Sequence, residues 1–304
     1  MRRLLAILAA LVASLALAAC AVHLSNSGRG ELRPKQPDAL RLASWNVHYI
    51  WLDRETGPWS VGDWMERRAG VSSLAGLLDA DILAFQEMES FGRNSRNGEI
   101  NLALDYLLAE HPGYRAAAVG DPARFPSTQP IFYRPDRLEL IDQGWFFFST
   151  TPDVIYSRTF DGSFPAFTSW ALFRDLRSGR TIRVLNLHTD ARSGSNRLAS
   201  AELVAARASP WIASGEAVVV LGDLNARAGA PTLGILEDAG FTFPPVPGAT
   251  FHFNRGLNLF GAIDHIGLAG PVAPLSDPVV LRRRVDGRWP SDHYPVVLDV
   301  TLVP

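Results

Sequence analysis

The run Ala217-Val218-Val219-Val220-Leu221, followed at once by Gly222-Asp223-Leu224-Asn225, constrains this chain more than any other stretch. Consecutive apolar, mostly β-branched residues leave no polar face, so the run reads as a strand buried on both faces, inside a layered structure. In extended backbone Asp223 and Asn225 point the same way, so a carboxylate and an amide face one spot. A strand end can present such groups to a cleft while the backbone behind them stays rigid. Gly222 permits close approach of backbone or ligand there. Turn formation is the bland alternative for Asp and Asn after a strand, and this motif alone does not choose between them.

From residue 40 the chain alternates short apolar runs with longer helical patterns. Strands are predicted over 40–46, 82–87, 114–119, 130–134, 138–143, 168–176, 181–188, 217–223, 262–268, 279–284 and 294–302. Helices are predicted over 63–78, 100–110, 196–213 and 232–239, with Asp79, Gly215 and Gly240 as stop signals after three of them. Strands outnumber helices, and several pair as hairpins holding Gly or Pro. The expected fold class is therefore α/β, with two mixed β-sheets packed face to face and helices outside, rather than a doubly wound parallel sheet. No internal repeat or compositional break divides residues 39–304, so one domain is expected.

The same device recurs at other strand ends. Ser44-Trp45-Asn46 closes the first strand with an amide, and Phe85-Gln86-Glu87 closes the second with a carboxylate. Asn186, His188 and Asp190 share one side of a strand whose other side carries Leu185 and Leu187. A lone histidine there would serve a structural role as readily. Asp292 and His293 are adjacent, so both enter one cleft only if that segment is a loop, which Pro290 and Pro295 favour.

Trp45-Asn46, Gln86-Glu87, Asn186-x-His188-x-Asp190, Gly222-Asp223-Leu224-Asn225, Ile263-Asp264-His265-Ile266 and Ser291-Asp292-His293 stand in the order of the motifs of the endonuclease/exonuclease/phosphatase superfamily, which the chain resembles over about residues 40–302. The resemblance implies a DNase I-like four-layer α/β sandwich. It implies that Glu87, oriented by Asn46, holds Mg²⁺ with Mn²⁺ as a substitute, a hard cation suited to oxygen ligands. Asp292 is a further metal ligand on this reading. Asp223 would orient or deprotonate the attacking water and Asn225 would fix water or phosphate. His188 and His293 would donate to phosphoryl oxygens, Asp264 holding His293 in one tautomer. Tyr133 resembles a substrate-facing tyrosine of the family, with a structural role as the alternative, and Trp170 resembles a family position expected to pack in the core. His48 stands where apurinic endonucleases carry an acid, which argues against DNA repair. Around His188 the usual threonine and leucine are interchanged.

Arg2 and Arg3, the apolar run to Leu17 and the small residues Ala18 and Ala19 have the layout of a secretory signal peptide, too short to span a membrane. Leu17-Ala18-Ala19-Cys20 resembles the lipobox of bacterial lipoproteins, which implies that Cys20 is acylated and that residues 21–38 tether an exported protein to the outer membrane or hold it in the periplasm. An ordinary signal peptide is the alternative. With one cysteine the chain forms no intramolecular disulfide. Without Arg2 and Arg3 it keeps 27 basic against 31 acidic residues, a sign that argues against tight binding of long nucleic acid. Trp51, Trp59, Trp64 and the 145–148 aromatic run are expected in the core, and Arg282, Arg283 and Arg284 on a solvated strand.

The expected activity is hydrolysis of a phosphate ester, in nucleic acid, nucleotide or phospholipid headgroup, by a monomeric, cation-dependent phosphodiesterase or nuclease. The alternatives are a sphingomyelinase-like lipid phosphodiesterase or phosphatase and, in another class, a tethered binding protein that has lost turnover.

Overall fold

The computed structural model describes residues 2–28, 30–88, 101–126, 128–158, 160–161 and 164–303. An exposed helix α1 (Arg2–Ser25) is followed by β1 (Leu40–Asn46), α2 (Val61–Leu78), β2 (Ile82–Gln86), α3 (Leu102–Glu110), β3 (Arg115–Ala117) and β4 (Ile131–Tyr133). The chain continues through β5 (Leu138–Phe147), β6 (Phe167–Asp175), β7 (Thr181–His188), α4 (Gly194–Ala213), β8 (Ala217–Asp223) and α5 (Pro231–Asp238). It closes with β9 (Asp264–Ala269), β10 (Val272–Pro274), β11 (Val279–Val280) and β12 (Val296–Leu302).

Strand alternation distributes these elements into layers. One sheet runs β10-β12-β1-β2-β4-β3, with β11 on β12, and the other runs β5-β6-β7-β8-β9. Leu42, Ile82 and Ala84 of the first sheet meet Val219, Leu221 and Ile266 of the second in one core between them. The intervening side chains face outward. Ala43, Trp45, Leu83 and Phe85 pack beneath Trp64, Val71 and Leu74 of α2 and Leu107 of α3. Leu185, Val218 and Val220 pack beneath Val204 of α4 and Leu236 of α5. Helix, sheet, sheet and helix therefore form the expected four-layer sandwich, each apolar face covered by the next layer.

Local chemistry fixes the helix starts. Ser60, Asn101 and Ser193 cap α2, α3 and α4 by accepting from the backbone N–H of Asp63, Leu104 and Asn196 at 3.0, 2.9 and 3.1 Å. Pro231 opens α5, where its missing N–H costs nothing. Ile100, expected to open α3, lies outside the described residues.

Several boundaries moved for physical reasons. β5 runs on to Phe147 because β6 keeps pairing with it as far as Phe167, across a bulge between Leu140 and Asp142. The expected strand over 279–284 is a two-residue pairing, since Arg282 leaves the sheet to donate to Gly28, Pro247 and Ala249 carbonyls. β3 stops at Ala117 because Ala118 adopts φ 56°. β12 begins after Pro295, which has no N–H to give a ladder.

Residues 21–38, read as a tether, touch the domain at several points. The N–H of Asn258 donates to His23 Nδ1 at 3.0 Å, its side-chain amide donates to Ser27 Oγ at 2.7 Å, and Lys35 pairs with Asp81 at 2.8 Å.

Gly222 carries φ 143°, and an added Cβ would lie 1.9 Å from the Leu187 carbonyl oxygen on the neighbouring strand. Gly222→Ala should therefore lower unfolding free energy by on the order of 3 kcal/mol, read from urea denaturation, whereas Gly234→Ala, with open space around it, should not.

Candidate active site

Strand direction decides which side chains meet. β1 and β2 are parallel, so Asn46 and Glu87 leave the first sheet at one end. β7 and β8 are parallel too, so His188 and Asp223 leave the second sheet together, in register with each other. β9 runs antiparallel to β8 and sets Asp264 opposite Asp223 through its first residue. β12 runs antiparallel to β1, so the loop before it carries Asp292 and His293 to the same end. Six motifs scattered along the chain thus converge at one rim of the sandwich.

Glu87 reaches the site through an unusual backbone. On a regular strand it would follow Leu83 and Phe85 toward the helices. Instead it adopts φ 58°, and its carboxylate accepts from Asn46 Nδ2 at 2.9 Å and from the Tyr49 N–H at 3.1 Å. Asn46 Nδ2 also donates to Asp223 Oδ2 at 3.1 Å, while Asn46 Oδ1 accepts from the His48 N–H at 3.0 Å. His188 Nε2 lies 3.6 Å from Glu87 and 3.7 Å from Asp223. Single ligand atoms of Glu87, His188 and Asp223 fall within 4.8 Å of one another, as do those of Asp223, Asp264 and His293. The carboxylates of Glu87 and Asp223 are oxygen ligands that fit a small, hard divalent cation, whereas Asn46, expected among the ligands, turns its Nδ2 to both of them and so orients them instead.

His293 sits between two acids. Its Nδ1 donates to Asp264 Oδ2 at 2.9 Å, and its Nε2 stands 3.7 Å from Asp223 Oδ2. All three side chains are buried. Burial, then the charge of Asp264, raises the Asp223 carboxyl to about 6, although His293 and His188 pull it down. Burial lowers His293, but Asp264 and Asp223 outweigh it and carry the imidazole well above its ordinary value. Asn225, at φ 45°, donates its N–H to Asp223 Oδ1 at 2.9 Å and its amide to the Thr189 carbonyl at 3.0 Å.

Two expected residues are not assembled as the motifs imply. Tyr133 ends β4, which runs antiparallel to β2 and pairs it with Ile82, at the end of the sheet opposite Glu87. It packs on Phe173, ring centroids 5.1 Å apart, so its role is structural and the substrate-facing expectation is corrected. Asp292 joins neither carboxylate–histidine group; its Oδ1 is paired with His48 Nδ1 at 3.0 Å. Burial pushes Asp292 up, yet the hydrogen bond and charge of His48 hold it below the usual carboxylate range.

Other parts of the site come from residues to which the motifs assign no role. Gln86 Nε2 donates to Asn186 Oδ1 at 2.7 Å and Asn186 Nδ2 donates to the Phe85 carbonyl at 2.8 Å, joining the two sheets just behind the site. Both are amides inside apolar strands, which was the readable signal. Arg67 is buried on α2 and donates to the carbonyls of Val47, His48 and Pro290 at 2.6, 2.8 and 3.2 Å. It binds the loop after β1 to the loop before β12, and a helical arginine in sequence gives no sign of this. Ser291 Oγ donates to the Asn46 carbonyl at 2.7 Å and accepts from the His293 N–H at 3.2 Å. A cleft of about 580 Å³ opens beside Asn225, walled by Arg197, Arg227, Phe251 and Phe260.

The profile of the Endonuclease/Exonuclease/phosphatase family matches residues 43–293. An endonuclease/exonuclease/phosphatase family protein from Bacteroides thetaiotaomicron is 25% identical, with TM-score 0.70, over 87% of this chain and 98% of its own. A mannosyl-6-phosphatase of the same organism is 24% identical, with TM-score 0.69, over 86% and 100%. TDP2 of D. rerio, complexed with single strand DNA product, is 16% identical, with TM-score 0.59, over 86% and 99%. Among curated proteins none matches the sequence.

The two perturbed groups predict successive pH windows of the same sign, since both are raised on folding. Asp223, raised to about 6, stabilises the fold while protonated and loses that contribution as pH climbs from its unfolded value of 3.8 to about 6. His293, raised above 6.5, contributes fully below 6.5 and loses it only as pH passes its folded value. In metal-free protein Asp223→Asn should remove up to roughly 1.4 kcal/mol per pH unit of the stability slope between those limits, measured by urea unfolding at stepped pH. An unchanged slope would refute the assignment.

Proposed function

The chain belongs to the endonuclease/exonuclease/phosphatase family, whose members hydrolyse phosphate esters, and from that premise we propose that it is a divalent-cation-dependent phosphodiesterase or nuclease acting at the cell envelope. The observation that carries this reading is the convergence of Glu87, His188 and Asp223 with Asn46 and the Asp264–His293 pair at one rim. A binding module has no use for a histidine clamped between two buried acids.

Glu87, oriented by Asn46 and the Tyr49 N–H, would hold the cation, with Asp223 beside it; Mg²⁺ suits these oxygens and Mn²⁺ would substitute. What the bound cation supplies is neutralisation of phosphoryl charge. Asp292, committed through Oδ1 to His48, would contribute at most its other oxygen.

The protein's own groups then account for in-line attack by water. Asp223 accepts the water's proton or aims its lone pair, and its elevated pKa brings it close to the working range of a general base. Asn225, fixed by its bond to the Thr189 carbonyl, holds the water or a phosphoryl oxygen. His293 and His188 donate to phosphoryl oxygens as charge develops, so stabilisation is electrostatic and preorganised. Asp264 keeps the proton on His293 Nδ1 and supports the charged imidazolium without touching substrate.

The phosphate-ester class follows from the site, whereas the body of the substrate depends on the cleft walls. The similar structures span a mannosyl-6-phosphatase and a protein with bound DNA product, so they support the chemistry more than any one substrate. Export as a lipoprotein is part of the same proposal. It is supported by Cys20, which is exposed on α1, and by α1 itself, which has no buried residue and, because it runs past Leu17 to Ser25, is long and apolar enough to cross a membrane, contrary to the expectation from the apolar run alone.

The test is hydrolysis of bis(p-nitrophenyl) phosphate with Mg²⁺, Mn²⁺ or EDTA. EDTA should abolish turnover, and Asp223→Ala or His293→Ala should lower kcat on the order of 10³-fold. Asp264→Asn should lower kcat with KM little changed, since it acts through His293. Cation-independent turnover, or full activity in Asp223→Ala, would overturn the proposal.

A further inference from the structure

The segment between α5 and β9 does more than close a wall of the cleft. Phe251 bridges to His293 in an antiparallel pair and their rings lie 5.0 Å apart. Phe253 follows at 4.5 Å from Phe251, and Phe260 at 5.8 Å from Phe253, so aromatic rings lead from the site to the surface. There the apolar side chains are left in water: Phe253 is 39%, Leu257 42% and Phe260 46% exposed. Three large apolar residues on one short loop form a patch rather than a scatter, and such patches mark contact surfaces.

Independent observations identify what covers it. The same loop receives the end of the apolar helix: Asn258 donates its N–H to His23 Nδ1 and its amide to Ser27 Oγ, and the Ala249 N–H donates to the Asn26 carbonyl at 3.1 Å. With the membrane attachment proposed above, through a spanning α1 or an acylated Cys20, the bilayer would lie within a few residues of Asn258. Charge agrees. Arg255, on the loop, lines a cleft of about 340 Å³ with Arg284 and Arg288. Arg288 is taken by Glu66, while Arg255 and Arg284 have no carboxylate partner among the described residues, Arg284 lying over the Trp289 ring at 4.7 Å. Aromatic side chains with flanking arginines are the composition that settles at an anionic interface.

We propose that the 251–260 loop is a membrane-contacting lip, whose tip Phe253, Leu257 and Phe260 seats in an anionic phospholipid surface beside the anchor and turns the catalytic cleft toward the headgroups. The contact rests on the loop's geometry and on the anchored reading of the N-terminal segment given above; the consequence that the cleaved phosphate ester lies at the bilayer surface rests on the hydrolase reading.

Full-length protein in a Cys20→Ser background, reconstituted through α1, should be labelled with an environment-sensitive fluorophore at Leu257→Cys, at Phe260→Cys as a second tip position, and at Leu176→Cys as a control. Leu176 is 51% exposed and lies beyond the β6–β7 pairing at the opposite end of the sandwich. In phosphatidylglycerol vesicles both tip labels should shift to the blue and be quenched by doxyl-labelled lipid, while the control label does neither. The shift should shrink in 1 M salt, in phosphatidylcholine vesicles, and in Arg255→Glu. Tip labels that report water in anchored protein, or that shift no more than the control, would overturn the proposal. No turnover is read, so failure here leaves the hydrolase reading standing, and loss of hydrolysis leaves this one standing.

Discussion

A single side-chain amide spans the two sheets at the point where they must agree. Asn46 leaves the first sheet, and its Nδ2 donates both to Glu87 of that sheet and to Asp223 of the other. An amide nitrogen has two hydrogens, and both are committed to carboxylates here. With its oxygen taken by the His48 N–H, Asn46 has no freedom left, and the distance between the two acids is set by one rigid group. The Gln86–Asn186 bond repeats the device one layer deeper. Buried amides so far inside a core are costly unless satisfied, by about 1–3 kcal/mol for each lost partner. Asn46 and Asn186 have every side-chain polar atom bonded, which selects one register of sheet on sheet, and the site inherits that precision.

The electrostatics follow from this placement. Asp223 and Asp264 stand opposite one another on paired strands, both buried, an arrangement that two ionised carboxylates resist. His293 resolves it by lying between them. A site that holds one positive charge between two acids is already arranged around phosphoryl chemistry, in which protons and negative charge move together. His48 and Asp292 form a similar but separate pair at the edge, so the Asp292 carboxylate is not left without a partner.

Much of this was legible because strand periodicity and chain order carry it. The strand Ala217–Asp223 appears where its apolar run placed it, and Asn186 and His188 share the inner face as alternation required. The loop reading of Asp292 and His293 holds because Pro295 ends the ladder. What periodicity cannot express was missed. Glu87 has the wrong parity for the site and arrives there through a left-handed backbone, a state that no residue type announces outside glycine and a few others. Tyr133 was misjudged because its place depends on β4 running antiparallel to β2, a fact of pairing and not of local sequence. Arg67 acts through backbone carbonyls far along the chain, which leave no mark on the sequence around it.

The wall of the cleft shows the same limit from the other side. Phe251 to Phe260 contains no acid, amide or histidine motif in the family's order, so a search for catalytic groups passes over it. Its meaning comes from adjacency: one face touches His293, the other meets the end of the apolar helix, and the tip is exposed between them. A wall shared by the site and the end of the apolar helix fixes how the two stand relative to one another. Catalytic geometry sets which bond is broken, and on the proposed anchoring this shared wall would set which bonds come within reach.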